Sequence, residues 1–112
     1  MRYLVTVENI EVGPLLPPEQ LIGVIRGAVL PSMEALVRME SEGKILGGGH
    51  PVGERSAAFI VEADSNEELD GLLQDLPGWG VVKTKVTPLQ GFENRLEHTR
   101  QFAERMESSS PR

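Results

Sequence analysis

Polar residues suited to acid–base chemistry cluster around a glycine-rich bend in the middle of the chain. His50 follows three consecutive glycines, and Glu54, Arg55 and Ser56 follow Gly53. Histidine can accept a proton near neutral pH, and arginine can hold a carboxylate or enolate oxygen through charge-assisted hydrogen bonds. Proton transfer needs both: a group that exchanges a proton and a neighbour that stabilises negative charge. The alternatives are that His50 and Arg55 lie on an exposed loop, and that Glu54 pairs with Arg55 rather than acting as the base.

Further candidates lie on the predicted strands. Glu62 stands in an almost uninterrupted apolar segment, so its carboxylate lies either near an exposed strand end or in a pocket. Trp79 follows a Pro-Gly pair and either closes a pocket mouth or packs at the edge of the core. Lys83 and Lys85 alternate out of the last strand, where lysines commonly protect an edge from aggregation. The expected catalytic residues are His50, Glu54, Arg55 and Glu62. The expected substrate-binding residues are Arg2, Thr6, Ser56 and Trp79, with solvent-facing positions as the alternative for Arg2 and Thr6.

The residue types give little support to a metal or a cofactor. The chain has no cysteine, and its two histidines, His50 and His98, stand far apart in unlike contexts, whereas a metal needs several converging ligands. The triple glycine is not followed by the lysine and serine of a phosphate loop. No Ser-His-Asp arrangement has a recognisable spacing. We therefore expect no metal site and no phosphate-binding loop.

Composition indicates one soluble globular domain. The chain has 112 residues, of which 39% are hydrophobic and 25% charged, and this length suits a single modest core. A net charge of −6 without a basic run disfavours nucleic acid as a partner. We expect no membrane span, which takes roughly 20 apolar residues, and no signal peptide before the first strand. We expect a cytoplasmic protein with no membrane partner.

The order of predicted elements is strand, helix, strand, strand, helix, strand. Residues 1–8 alternate as a strand, residues 9–18 form a loop, and a helix follows to residue 42, with a kink or break at Pro31. Two strands meet across the bend, Asp64 or Ser65 caps a second helix, and residues 81–87 return to strand alternation. This order predicts an α+β, ferredoxin-like βαββαβ domain with a four-stranded antiparallel sheet over residues 1–90. A C-terminal helix over 91–107 and a disordered tail over 108–112 complete the chain.

Two helices on one face of such a sheet leave the other face bare. On the first strand the bare face carries either the set beginning with Met1 and Tyr3 or the mixed set beginning with Arg2. A bare face with Leu4, Ile60 and Val82 needs a cover, and a second copy of the chain is the simplest one. We expect a homodimer with the sheets face to face, small-molecule pockets between or beside them, and the C-terminal helix extending the contact.

Residues 36–86 carry a recognisable pattern. It comprises the helix end Glu42-Gly43, the spacing to Gly53, the strand AAFIVEA, the helix DSNEELDGLLQDLP and the returning strand. In these features the chain resembles the muconolactone isomerase family, within the dimeric α+β barrel proteins. The resemblance implies a cofactor-independent enzyme that moves a double bond in an unsaturated lactone by proton transfer. It also implies a dimer, which in some members assembles into large rings.

The match departs from the isomerases directly after Gly53. A His-Tyr pair follows the corresponding glycine in those enzymes, whereas this chain has Glu54 and Arg55, so any role of that pair does not carry over. Two other functions therefore stay open: a non-catalytic protein that binds small molecules or supports assembly on the same barrel, and a cofactor-independent monooxygenase of the same barrel class.

Overall fold

A computed structural model describes residues 1–9 and 17–109, so most of the predicted loop over 9–18 lies outside the described residues. The elements run in the predicted order, followed by the additional helix. They are β1 (Arg2–Asn9), α1 (Pro18–Ser41), β2 (Ile45–Gly49), β3 (Ser56–Glu62), α2 (Asn66–Gln74), β4 (Val82–Leu89) and α3 (Phe92–Ser109). A short 3₁₀ turn, Trp79–Val81, leads into β4.

The four strands form one antiparallel sheet in the order β2-β3-β1-β4. This is the ferredoxin-like arrangement, and it confirms the predicted fold. Val5 lies opposite Phe59 on β3 and opposite Val86 on β4. Because side chains alternate across a strand, these pairings assign each residue to one of the two faces.

The hydrophobic core lies between one face of the sheet and the helices α1 and α2. Tyr3, Val5 and Val61 are at most 1% exposed. The Tyr3 hydroxyl stays satisfied because it donates to the Asn66 side-chain oxygen at 2.5 Å. The buried core comprises Tyr3, Val5, Met39, Ile45, Ala57, Phe59, Val61, Ala63, Leu69 and Leu73.

Helix α1 is continuous and passes through a π-helical segment, Ile25–Val29. Pro31 follows directly, in the first turn of the α-helical segment Leu30–Ser41. Proline has no N–H and clashes with the preceding turn, and the wider π turn absorbs both effects. The chain therefore continues as one helix and does not break into two helices at Pro31.

Helix α1 is also more apolar than the sequence expectation implied. It is 24 residues long, and its most apolar 18-residue stretch contains no buried residue, so length and composition alone would let it cross a membrane. This corrects the expectation that no stretch approaches such a span. A single helix of this kind is weak evidence, because core helices and signal sequences meet the same criterion.

Helix α2 begins at a well-formed cap. The Ser65 hydroxyl accepts a hydrogen bond from the Glu68 N–H at 3.1 Å, and the Glu68 carboxylate accepts one from the Asp64 N–H at 2.8 Å. This reciprocal arrangement satisfies backbone donors at the helix start. Ser65 is therefore the N-cap of the two predicted candidates, and the helix turns Leu69 and Leu73 into the core.

The glycines of β2 allow it to lie close against β3. The pairing is interrupted by a bulge between Ile45 and Gly47. At Gly48 the φ angle is +130°, and a Cβ there would lie 2.2 Å from the Ala58 carbonyl oxygen. No residue with a side chain fits this position without moving the strands.

Helix α3 extends away from the rest of the molecule. None of its residues is buried, and the molecule measures 73 × 33 × 25 Å with a radius of gyration of 19.6 Å. A compact chain of this length would have about 13 Å. The helix reaches Ser109, so Ser108 and Ser109 belong to it rather than to the predicted disordered tail; residues 110–112 lie outside the described part of the chain.

Candidate active site

The sheet face opposite the helices, which we call the open face, is uncovered in the single chain. The strand pairings assign to this face Arg2 and every second residue of β1 after it, together with their neighbours on the other strands. Its centre is apolar and half-buried, with Leu4, Ala58 and Ile60. Val82 was predicted here but alternates with Lys83 and lies on the helix-covered face instead. The open face comprises Arg2, Leu4, Thr6, Glu8, Gly47, Gly49, Ser56, Ala58, Ile60, Glu62, Lys83, Lys85, Thr87 and Leu89.

Three predicted residues meet at one end of this face, which we call the bend end. A ring nitrogen of His50, Nδ1, lies 2.9 Å from the Ser56 carbonyl oxygen. The Ser56 hydroxyl donates to the Glu54 carboxylate at 3.1 Å. Glu8 of β1 lies directly opposite Ser56. The glycine-rich bend thus gathers an imidazole, a hydroxyl and two carboxylates around the start of β3.

The arrangement at the bend end has a clear chemical consequence. If Nδ1 of His50 carries the proton and donates it to the Ser56 carbonyl, the other ring nitrogen, Nε2, is an acceptor. A histidine in that tautomer can take a proton from a bound molecule. The Glu54 carboxylate, held by the Ser56 hydroxyl, is a second acceptor within the same group.

Two other predicted residues meet at the opposite end of the open face. Arg2 Nε lies 3.3 Å from a Glu62 carboxylate oxygen, and the Met1 amino group lies 3.5 Å from the other oxygen. The side chains of Arg2 and Glu62 are 67% and 47% exposed. Glu62 is six residues from Ser56, or roughly 20 Å along an extended strand. The structure therefore does not bring Glu62 together with His50 and Glu54.

The remaining predicted residues have different positions. Arg55 is exposed in the turn before β3. Trp79 is partly buried and packs against the hydrophobic core, which corresponds to the core-edge alternative for this residue. Thr6 lies on the open face, half-buried, one residue pair inward from Glu8.

Lys83 and Lys85 share the open face, which edge protection alone does not describe. Lys83 lies opposite Glu8, and Lys85 lies opposite Thr6. The alternation of β4 shows that the two lysines point the same way, but only the register with β1 reveals which residues they meet. The sequence therefore indicated that the two lysines share a face, but it did not indicate which residues lie opposite them.

The candidate acids and bases all lie at the surface of the single chain. Within the described residues, no His, Asp, Glu, Lys or Arg side chain is buried, and no group of three His, Asp or Glu side chains could hold a metal. A cleft of about 160 Å³ lies between α1 and α2, rimmed by Arg38, Glu42 and Asp75. It contains none of the predicted site residues. A closed pocket at the bend end would need a second surface over the open face.

The fold and the open face define a class: a ferredoxin-like α+β protein with helices on one side of its sheet and an uncovered, mixed surface on the other. Residues 1–95 match the family model of muconolactone delta-isomerase. The chain belongs to that family, as the resemblance predicted.

Solved structures agree with this assignment at the level of the fold. A muconolactone isomerase matches with a TM-score of 0.64 and 18% identity, over 81% of this chain and 90% of that one. The 5-chloro-2-hydroxyhydroquinone dehydrochlorinase of Burkholderia phenoliruptrix AC1100, in complex with 2,5-dihydroxybenzoquinone, matches with a TM-score of 0.59 and 19% identity, over 84% of this chain and 98% of that one. No curated protein matches in a sequence comparison.

Proposed function

We propose that this protein is a cytoplasmic, cofactor-independent enzyme that isomerises an unsaturated lactone or a related cyclic compound by proton transfer. The observation that carries the proposal is the bend end of the open face, where His50 and Glu54 are both held through Ser56. Membership of the muconolactone delta-isomerase family supports the reaction type. Structural neighbours that include an isomerase and a dehydrochlorinase support small-molecule chemistry on this fold.

The proposed reaction uses the groups at the bend end. A base, for which His50 is the first candidate and Glu54 the second, removes a proton from a ring carbon next to the double bond. The C–H electron pair forms a new double bond while the original one shifts its electrons toward the lactone carbonyl. Return of a proton to the far carbon completes the isomerisation, so atoms and charge balance. A cation near the carbonyl oxygen would stabilise the dienolate; Arg55 is a candidate for this role.

A homodimer would supply the missing cover of the active site. The open face has a half-buried apolar centre, and excluding water from it strengthens every electrostatic interaction inside. Helix α3 adds an exposed apolar stripe in which Phe92, Leu96, Phe102 and Met106 are 95%, 53%, 55% and 57% exposed. Exposed apolar surface of this extent is typical of an interaction site. We place the second copy over the open face, with α3 extending the contact.

The proposal is tested by following muconolactone by proton NMR in D₂O with the purified protein. We expect the double bond to move and deuterium to enter the product at the reprotonated carbon. His50→Ala should lower the rate by a factor of 10² or more, which is the usual contribution of a positioned acid or base. His98→Ala is the matched control, because His98 lies on α3 with Gln90 as its partner. Equal rates for both variants would overturn the assignment of His50.

A second function has one specific observation in its favour. Glu54 and Arg55 stand where the family's isomerases have a His-Tyr pair after Gly53. A protein on this fold that binds a small molecule without changing it would need no such pair. Binding of muconolactone with no turnover and no deuterium exchange would support this alternative.

A further inference from the structure

We propose that helix α3 pairs with α3 of a second copy of the chain, the partner, as a short antiparallel coiled coil. The proposal rests on the proposed function for the presence of a second copy, and it specifies the orientation and register in which the two helices meet. Residues 96–109 of α3 lie beyond the part of the chain that matches the family model. Membership of the family therefore does not describe this contact.

The spacing of residues along α3 is that of a coiled coil. Five exposed positions, which we call the seam, alternate at intervals of four and three residues, as the two core positions of a heptad do. The hydroxyl of Thr99 donates to the Arg95 carbonyl oxygen at 2.8 Å, so its polar atom is satisfied within the helix and its methyl group can be buried. The seam comprises Phe92, Leu96, Thr99, Ala103 and Met106.

The charges beside the seam argue against a parallel pair. In a parallel coiled coil Arg95 would lie opposite the partner's Arg100, and this like-charge contact would occur twice. Within residues 1–9 and 17–109, Glu93 and Arg95 form no ion pair, and Arg100 reaches Glu97 only at 3.9 Å. These charges are therefore available to a second helix.

One antiparallel register turns the same charges into attractive contacts. With Leu96 opposite the partner's Thr99, residues at the same heptad position meet beside the seam. Glu93 then lies opposite the partner's Arg100, and the two-fold symmetry repeats this contact. Two ion pairs replace the two like-charge contacts of the parallel arrangement.

Moving the helices by one heptad removes this advantage. With Leu96 opposite the partner's Met106, Arg100 would lie beside the partner's Arg100. Glu93 would lie beside the partner's Glu107 in the same arrangement. Like charges at these flanking positions disfavour the pairing, so the first antiparallel register is the one that the sequence of α3 favours.

The sizes of the side chains fit that register. Phe92 lies opposite the partner's Ala103, a large residue against a small one, and Arg95 lies beside the aromatic ring of the partner's Phe102, where a cation is favourable. The end of α3 then lies beside the partner's Leu89, the last residue of β4, which is 40% exposed. The overlap over residues 92–103 is roughly 18 Å long. It is smaller than a stable dimer needs, so it adds to the cover of the open face.

Reversing the charges tests the orientation and the register. By sedimentation equilibrium at low salt, Glu93→Arg and Arg100→Glu should each raise the dimer dissociation constant about fivefold or more, because two attractive contacts become repulsive. The two substitutions combined should restore it to within about twofold. Glu104→Arg and Arg105→Glu make the same charge changes away from the seam and are the matched controls. No residue of α3 is buried, so the circular dichroism of all four variants should be unchanged.

The contradicting outcomes are specific. A parallel pair would be tightened by Arg100→Glu, and the shifted antiparallel register would be tightened by Glu93→Arg. Either result overturns the proposal, as does a dissociation constant that neither substitution changes. An enzyme that isomerises muconolactone while these variants sediment alike would overturn this inference and leave the proposed function standing.

Cross-linking gives an independent readout, because the chain has no cysteine. Under mild oxidation, Glu93→Cys mixed with Arg100→Cys should form a disulfide between the two variants, and neither variant should do so alone. Glu93→Cys mixed with Glu107→Cys is the control and should not cross-link; if it cross-links instead, the register is wrong. A cross-linked α3 pair in a protein that does not turn over muconolactone would refute the proposed isomerase and leave this inference intact.

Discussion

The close approach of β2 to β3 at Gly48 leads to the sharpest stability prediction. Gly48→Ala would place a Cβ 2.2 Å from the Ala58 carbonyl oxygen and 2.5 Å from the Phe59 Cα, at a φ of +130°. Backbone strain of this kind costs about 1 to 3 kcal/mol, and overpacking costs about 1 to 3 kcal/mol more. We expect a loss of about 2 to 6 kcal/mol, a large part of the 5 to 15 kcal/mol that stabilises a typical domain.

Gly47→Ala is the matched control, because nothing lies within 4 Å of the added Cβ and the backbone there is not left-handed. Its unfolding free energy should change by about 1 kcal/mol or less. Urea unfolding followed by circular dichroism, at one fixed protein concentration because an oligomer's stability depends on it, measures both. If Gly48→Ala unfolds at the same urea concentration as Gly47→Ala, the described packing of β2 on β3 is wrong.

Four further predictions concern the core, a helix cap, assembly and solubility. Tyr3→Phe removes the hydrogen bond to Asn66 and should lower the free energy of unfolding in urea by about 1 kcal/mol. An unchanged free energy would mean that this hydrogen bond does not stabilise the fold. Ser65→Ala removes the N-cap of α2 and should lower the free energy of unfolding by about 1 kcal/mol. The comparison variant is Ser41→Ala, in the last turn of α1. Phe102→Glu places a charge in the apolar stripe of α3 and should lower the mass found by sedimentation equilibrium, and an unchanged mass would exclude α3 from the dimer contact. Finally, the protein should not float with phosphatidylcholine vesicles in a density gradient. Co-flotation would assign the exposed apolar face of α1 to a membrane.

Local patterns were enough to predict the fold. The alternation of β1 and the leucine spacing of α2 depend on neighbours in sequence, and both were predicted correctly. The cap of α2 was narrowed to Asp64 or Ser65, and the structure selects Ser65. The antiparallel order then followed from the sequence of elements. Val82 shows the limit of this reasoning, because its face is set by the pairing of β4 with β1, a contact between residues far apart in the chain.

The candidate site was predictable only in part for the same reason. His50, Glu54 and Ser56 lie within seven residues of one another, so a single bend brings them together. Glu62 was grouped with them by residue type, but an extended strand separates it from Ser56, and it pairs with Arg2 instead. Lys85 was assigned to edge protection because its neighbour Thr6 becomes visible only in the register of the sheet.

The central claim is that a small cyclic compound reacts on the open face of the sheet, and methyl NMR tests it most directly. Leu4 and Ile60 lie at the centre of that face, whereas Leu69 and Leu73 lie in the core beneath the other. With muconolactone added, the Leu4 and Ile60 methyl signals should shift in a saturable way, and the Leu69 and Leu73 signals should stay constant. Shifts confined to α1 and α2, around the cleft rimmed by Arg38 and Asp75, would contradict it.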